Sequence, residues 1–552
     1  MTKSHYILLL LLVSMTVCAK ERSTADMKNI AAEVLQRQST RSTASEIVCL
    51  KETETYCIYG DKMGFAVISR DDKSDAVLGY SMTPFDEENI PCGLSWWLNA
   101  VEATLLQTSI ISHKTITRGE PTVIEPMITS KWGQGDPYNA KCPTFKGKKA
   151  PVGCVATAMA QLMFFYNYPE KAQGVGYYTL GDASHQYSIT VNSIYDWSQI
   201  KASYAGSWFM TEDEKQNIAQ LAYDAGVASH MNYASDGSGS TAYDAANGFG
   251  QIFQFDSLAM KCINRDYCVN DDEWRNIIIN EFKSGHPLIM CGQDMTQGGH
   301  CFIIDGLDKD GLVHVNWGWD GKSDGYYNLT DMNPSGILGS SSTMHFNFSQ
   351  SVITNVKCQP NTEEGEIYRS CLHFDSEDNL ISDNMKGLII SGPEIVRQHY
   401  HLTFYGQFGI RFADNEGKEV FFCPLFDTAR KSIGPVEGGH GYYMSYFNHA
   451  TSADLADLPE GTYKVTLVSK ALQDIEPQPI RYPGGKHNEY VVTKSPDGFL
   501  TIEKTGSVNI RLSEYATPET NYIYDLQGRS YGTSAEGLPK GLYIIGGKKV
   551  VK

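Results

Sequence analysis

The stretch PVGCVATAMAQLMFFYNYP, residues 151–169, restricts the fold more than any other part of the chain. Read as a helix, it puts Val155, Met159 and Met163 on one face and Ala156, Ala160 and Phe164 on another, so it is apolar nearly all round. Such a helix has no face to give to water and must run through the centre of a domain. Pro151 precedes it and Pro169 ends it. Its one thiol, Cys154, falls in the first turn, where unpaired N–H groups and the helix dipole favour a thiolate. A buried structural cysteine fits the same position, so a nucleophile there needs partners elsewhere.

The 552 residues exceed what one core usually serves, and three or four domains are expected. A formal charge of -18 argues against nucleic acid or an anionic membrane as the main partner. Residues 1–19 read as an export signal: a lysine, the apolar run YILLLLLVSMTV and small residues for cleavage. Residues 20–122 read as a small α+β unit. In it GFAVISRDDKSDAVLGYS predicts a hairpin, and LSWWLNAVEATLL a helix with Leu94, Trp97, Leu98, Val101 and Leu105 on one face. A cuttable linker around Lys114 and Arg118 follows. Residues 123–355 hold helices first and apolar strands later, an α+β order. Residues 356–515 alternate short strands and turns, as a β-sandwich does, and residues 516–552 form a compact strand-rich tail. The 13 cysteines are scattered singly, with no CxxC pairs to suggest zinc. Most read as small buried hydrophobes, and Cys262 and Cys268 are near enough in sequence to pair.

A thiol nucleophile needs a base. His300, in TQGGHCFIIDGLD, has two glycines before it and an apolar strand after it. It lies 146 residues after Cys154, an order and spacing seen in papain-type enzymes. Gly298 and Gly299 leave room for a substrate backbone. His314, His286 and His230 are weaker rivals, and Cys301 reads as a core residue. An imidazole needs an orienting group: VNWGWDGKSDGYYNL offers Asn316, with Trp317 and Trp319 as shields. Gln134, in SKWGQGDPYNAKCP, and the Cys154 N–H are candidate donors to an oxyanion. Ser238, Gly239 and Ser240, in the SDGSGSTAYDA loop, are candidates for the substrate cleft.

KWGQGDPYNAKCP, PVGCVATAMAQLMFFYNYP, GGHCFIIDGLDKDGLVHVNWGWDGKSDGYY and the upstream GFAVISRDDKSDAVLGYS, in this order, resemble the streptopain family of secreted bacterial cysteine peptidases. The resemblance implies a papain-like α+β catalytic domain, no metal or cofactor, and cleavage of peptide bonds in proteins. It implies that residues 20–122 are an inhibitory propeptide. It matches Cys154 to the nucleophile, His300 to the general base and Gln134 to the oxyanion glutamine, and Trp317 and Trp319 to the tryptophans flanking the histidine. Asn316 and Trp317 are adjacent, whereas papain has one residue between the pair. Either the Asn316 side chain or a main-chain carbonyl near Trp317 is then the orienting group. The tail, with YDLQGR and LPKGLYIIGGKKVVK, resembles C-terminal sorting segments of Bacteroidetes-type bacteria. It implies an outer-membrane secretion machinery as partner and an extracellular or cell-surface location. Two other functions use the same sequence: a surface adhesin with a vestigial peptidase block, and a Cys-His acyl transferase or amidase.

Overall fold

The computed structural model describes residues 21–37, 46–108, 123–205, 210–257, 259–294, 298–329 and 349–358. It also describes most of 372–509 and three strands in 523–551. The export signal, the Lys114/Arg118 linker and most of the tail lie outside these residues. Among those described, no helix is long and apolar enough to cross a membrane.

The centre of the molecule is one ten-stranded sheet. Its strands are β1 (Val48–Glu52), β2 (Tyr56–Gly60), β3 (Phe65–Ser69), β4 (Val77–Ser81), β5 (Lys261–Asn264), β6 (Leu288–Asp294), β7 (Gly298–Leu307), β8 (Val313–Asn316), β9 (Gly325–Tyr327) and β10 (Ser349–Thr354). Their order is β1-β2-β3-β4-β9-β8-β7-β6-β10-β5, all antiparallel. The first four come from the N-terminal unit, including the expected β3–β4 hairpin. That unit joins the rest where β4 pairs β9, Tyr80 opposite Tyr326. Helix α1 (Thr24–Arg37) packs on β2 and β3.

Strand β7 is the wall between two cores. Side chains alternate across a strand. Cys301 and Ile303 therefore enter a core built on helices α3 (Cys154–Tyr166), α4 (Glu212–Ala228) and α5 (Ala242–Gln251). Phe302 and Ile304 enter a second core, shared with α2 (Cys92–Thr108) of the N-terminal unit and α6 (Asp271–Lys283). Helix α3 is as central as its composition demands, with every residue from Val155 to Met163 buried. Each large apolar side chain so buried contributes about 1.5–3 kcal/mol. The five residues expected on one face of α2 are all buried in the second core, and Trp96 joins them.

At the far edge of the sheet, beyond β5, sits the C-terminal β-rich region. A sheet containing Glu419–Asp427, Gly406–Ala413, Gly461–Ala471, Lys486–Lys494 and Leu500–Asn509 shares one apolar core with two three-stranded sheets. It docks through buried Arg481, which donates to the Tyr267 carbonyl at 3.1 Å, and through Gly484 N–H to the Asp266 carbonyl at 2.7 Å. His401 bonds the Ser257 carbonyl at 3.1 Å.

Candidate active site

Gly153 precedes α3 with φ +93°, in the region that favours glycine. A Cβ there would sit 2.7 Å from Met231 Sδ and 3.0 Å from the Ser238 carbonyl. No larger residue can therefore deliver the chain into the helix, and Cys154 becomes its first residue. The Cys301 N–H donates to Cys154 Sγ at 3.4 Å. His300, the residue before that donor, lies opposite Gly292 on β6. Alternation puts it on the Phe302 side of the sheet, facing the core that contains Trp317 and α2. Helix α3 thus sets the Cys154 sulfur against the β7 residue that follows His300.

Gln134 reaches the same place through its backbone, its carbonyl accepting the Val152 N–H at 3.0 Å. The loop that carries it is tied to α3 by Gln161, which with Thr157 is one of the buried polar residues in a mostly apolar helix. Gln161 Oε1 accepts Ser130 Oγ at 3.0 Å and the Trp132 N–H at 3.3 Å, and Nε2 donates to Asn316 Oδ1 at 3.1 Å. Asn316 Oδ1 also accepts the Gly318 N–H at 3.0 Å, and Nδ2 donates to the Ser130 carbonyl at 2.7 Å. Both acceptor positions of the Asn316 oxygen are filled. Gln161 was missed in the sequence, although a polar side chain in a mostly apolar helix is itself a signal that buried partners exist.

Trp317 is buried beside Phe302, ring centroids 4.7 Å apart, and its indole donates to the Ser323 carbonyl at 3.0 Å. Trp319 packs at the edge of the same core. Ser238 Oγ donates to the Pro151 carbonyl at 2.8 Å, and Gly239 exchanges two backbone bonds with Asn232. Ser240 Oγ donates to the Ser229 carbonyl. The 236–241 loop thus leans on the approach to Cys154, and a Cβ on Gly239 would meet nothing within 4 Å. Gly298 and Gly299 pair with Asp294 and Gln293 at the end of β7. Of the rival histidines, His314 is bound to buried Asp305 at 2.6 Å and His230 to Asp244 at 3.0 Å. His286 is bound to Glu281 at 3.2 Å.

Two expectations about cysteine change. Cys262 and Cys268 are both free; they enter different cores, so their nearness in sequence does not bring them together. Cys301 does pack in the core, but it is bonded to Cys291, its direct partner across β6 and β7. That register is invisible until the two strands are paired.

The N-terminal unit covers the site. Gly93, in the first turn of α2, lies so close to Trp317 that a Cβ would fall 2.6 Å from the ring. Trp96 lies against Gly292, opposite His300. Cys154 keeps some surface as a residue, yet its sulfur is surrounded by protein. Burial raises its pKa and outweighs the opposing pull of the Cys301, Val155 and Cys154 N–H groups.

Fold and site define a cysteine peptidase with an inhibitor-type prodomain attached. Residues 132–327 match the Peptidase C10 family, and residues 20–105 match the Spi protease inhibitor. The chain is 30% identical over 319 residues to streptopain of Streptococcus pyogenes, covering 53% of this chain and 78% of that protein. It is 29% identical over 328 residues to the thiol protease/hemagglutinin PrtT of Porphyromonas gingivalis, covering 56% of this chain and only 37% of that one. Its structure is similar to a prointerpain A fragment of Prevotella intermedia, a cysteine-to-alanine mutant, with 33% identity and a TM-score of 0.51. That match covers 57% of this chain and all of the fragment. The chain belongs to the peptidase C10 family of cysteine peptidases.

Proposed function

We propose that the chain is an exported zymogen that hydrolyses peptide bonds in proteins through Cys154 and His300, once residues 20–122 have been removed. The observation that carries this reading is the Cys301 N–H on Cys154 Sγ at 3.4 Å, which sets the strand bearing the imidazole directly against the sulfur. In the uncovered enzyme His300 takes the thiol proton, and the Cys154 sulfur attacks the scissile carbonyl. Gln134 and the Cys154 N–H donate to the oxyanion. His300 then protonates the leaving amine and activates water to release the acyl group. Asn316 and Gln161 act by positioning, since they lock the Gln134 loop to the nucleophile's helix. Trp317 shields the imidazole, while Gly298, Gly299, the Ser238–Ser240 loop and Trp319 line the cleft.

Inhibition follows from the same geometry. A covering that excludes water raises the thiol pKa and withholds the thiolate, in addition to blocking access. The tail supports secretion through an outer-membrane machinery, with the product outside the cell or on its surface. The test is Cys154→Ala in the full chain. It is expected to accumulate uncut and to release no peptides from casein; normal maturation and digestion by this variant would refute the reading.

A further inference from the structure

His300 and Cys301 stand on the least supported part of the central sheet. Strand β8 pairs β7 only from Ile303 onward, so among the described residues the stretch Gly298–Phe302 has β6 as its one neighbouring strand. Along it Phe302 lies opposite Met290, Cys301 opposite Cys291, His300 opposite Gly292, Gly299 opposite Gln293 and Gly298 opposite Asp294. Every pair from His300 outward contains a glycine. None of those pairs joins two side chains, and such pairs are what stabilise a sheet beyond its backbone bonds. In the precursor the Trp96 ring fills the place that Gly292 leaves open: a Cβ there would fall 2.4 Å from it. Trp96 belongs to the prodomain and departs with it. The Cys291–Cys301 disulfide is then the last side-chain tie between β6 and β7 before the glycines.

That tie sits where the chemistry needs it. The Cys301 N–H donates to Cys154 Sγ at 3.4 Å, and His300 is the residue before it. A hydrogen bond to a thiolate weakens steeply as its distance and angle drift. Burial raises the Cys154 thiol, and the Cys301 N–H is the largest of the pulls that lower it. We propose that the Cys291–Cys301 disulfide is a positioning element of the active site, holding the Cys301 N–H on the Cys154 sulfur and the His300 backbone in register once the prodomain has gone. The inference rests on the reading of Cys154 and His300 as nucleophile and base, and both half-cystines act through these neighbours. The matured enzyme thus needs its sulfurs in two states, Cys154 reduced and Cys291–Cys301 closed. Cys301 is buried, which shields the bond from the mild thiol that keeps Cys154 free.

The test compares the matured enzyme with its Cys291→Ala/Cys301→Ala double variant, which keeps every backbone donor. Where the variant does not process itself, tagged unmodified enzyme removes its prodomain and is then withdrawn by the tag. On a fluorogenic casein-derived peptide, kcat should fall by about tenfold with KM little changed. The acid limbs of kcat/KM and of Cys154 alkylation by iodoacetamide should both move up by about one pH unit. The precursor, still propped by Trp96, should lose less in melting temperature than the mature form. Unchanged kcat and acid limbs would overturn the proposal. So would a loss of activity with unmoved acid limbs, which would make the bond a brace of the sheet alone. Independently of any variant, dithiothreitol is raised on unmodified mature enzyme until mass spectrometry finds Cys291 and Cys301 open. Activity should fall in step with opening, and full activity with the bond open would also overturn the proposal. A failure of the peptidase assignment appears separately, as processing by Cys154→Ala.

Discussion

The run of strands β9-β8-β7-β6-β10-β5 carries two attachments of different kinds, one at each end. At one end β4 of the prodomain pairs β9 through Gly79, Tyr80 and Ser81, and α2 lays Gly93 and Trp96 over Trp317 and Gly292. At the other, the β-rich region docks by Arg481, Gly484 and His401 on the segments around Tyr267 and Ser257. The first contact touches the same residues that frame Cys154 and His300. The second touches the segments on either side of β5, the strand three places away from β7 in the sheet. A prodomain attached at the cleft can govern chemistry, while a domain attached at the far edge can brace the sheet without entering the cleft.

The largest effect is expected at the bracing edge. Arg481→Ala leaves the buried Tyr267 carbonyl without its donor and opens a cavity, which should cost about 2–4 kcal/mol. The melting temperature of the full chain should fall, while kcat/KM of the matured enzyme stays near the unmodified value. A large loss of kcat/KM with the fold intact would break the division of roles. A smaller and opposite effect is expected at the cleft edge. Gly93→Ala drives a methyl into the Trp317 ring and should weaken prodomain docking by about 1–3 kcal/mol. Processing should then speed up by about tenfold, and the mature product, which no longer contains residue 93, should be indistinguishable. Unchanged processing kinetics would mean that α2 does not hold the prodomain on the cleft.

The smallest contrast is in pH. Beside the prodomain, Ser81 Oγ donates to the Asp324 carbonyl at 2.6 Å, and burial raises the Asp324 carboxyl to about 7 against the lowering pull of the Trp317 N–H. This carboxyl holds its proton more tightly when folded. Its contribution is complete below the ordinary value of 3.8 and is lost as pH rises towards 7. His314 has the same sign: burial pulls it down, but the Asp305 hydrogen bond and the charges of Asp305 and Asp324 raise it overall. At the other edge burial depresses His401 to about 4. Its contribution is present above 6.5 and lost as pH falls towards 4. Acid should therefore firm the cleft edge and loosen the bracing edge. Asp324→Asn, which keeps an acceptor for Trp317, should remove the fall in melting temperature between pH 4 and 7, a difference of about 2–4 °C. An unchanged pH profile would take Asp324 out of this account.

How much of this was legible in the sequence depends on the range of each interaction. Helix α3, helix α2 and the β3–β4 hairpin are local, and their periodicity announced them. Cys154, His300 and Gln134 stand out as candidates because each has a local setting that the chemistry requires: a helix start, a glycine-flanked strand and a loop leading to that helix. What was hidden depends on register between distant segments. The pairing of β4 with β9 joins residues 243 apart, as in Ser81 to Asp324. The Cys291–Cys301 bond needs the β6–β7 register, and the approach of Gly93 to Trp317 needs the docked prodomain. Asn316 is one of two candidate orienting groups in the sequence, and its bonds to Gln161 and Ser130 are ones that sequence proximity does not reveal.

The central claim is that the prodomain keeps the Cys154 sulfur buried and protonated beside His300. The most direct measurement is the rate of alkylation of Cys154 by iodoacetamide across pH 4 to 10, under reducing conditions. It should be made on the precursor before processing and on the matured enzyme. Rapid alkylation of the mature enzyme well below the ordinary thiol range, with the precursor reacting only at high pH, is the predicted result. Superimposable profiles for the two forms would contradict it.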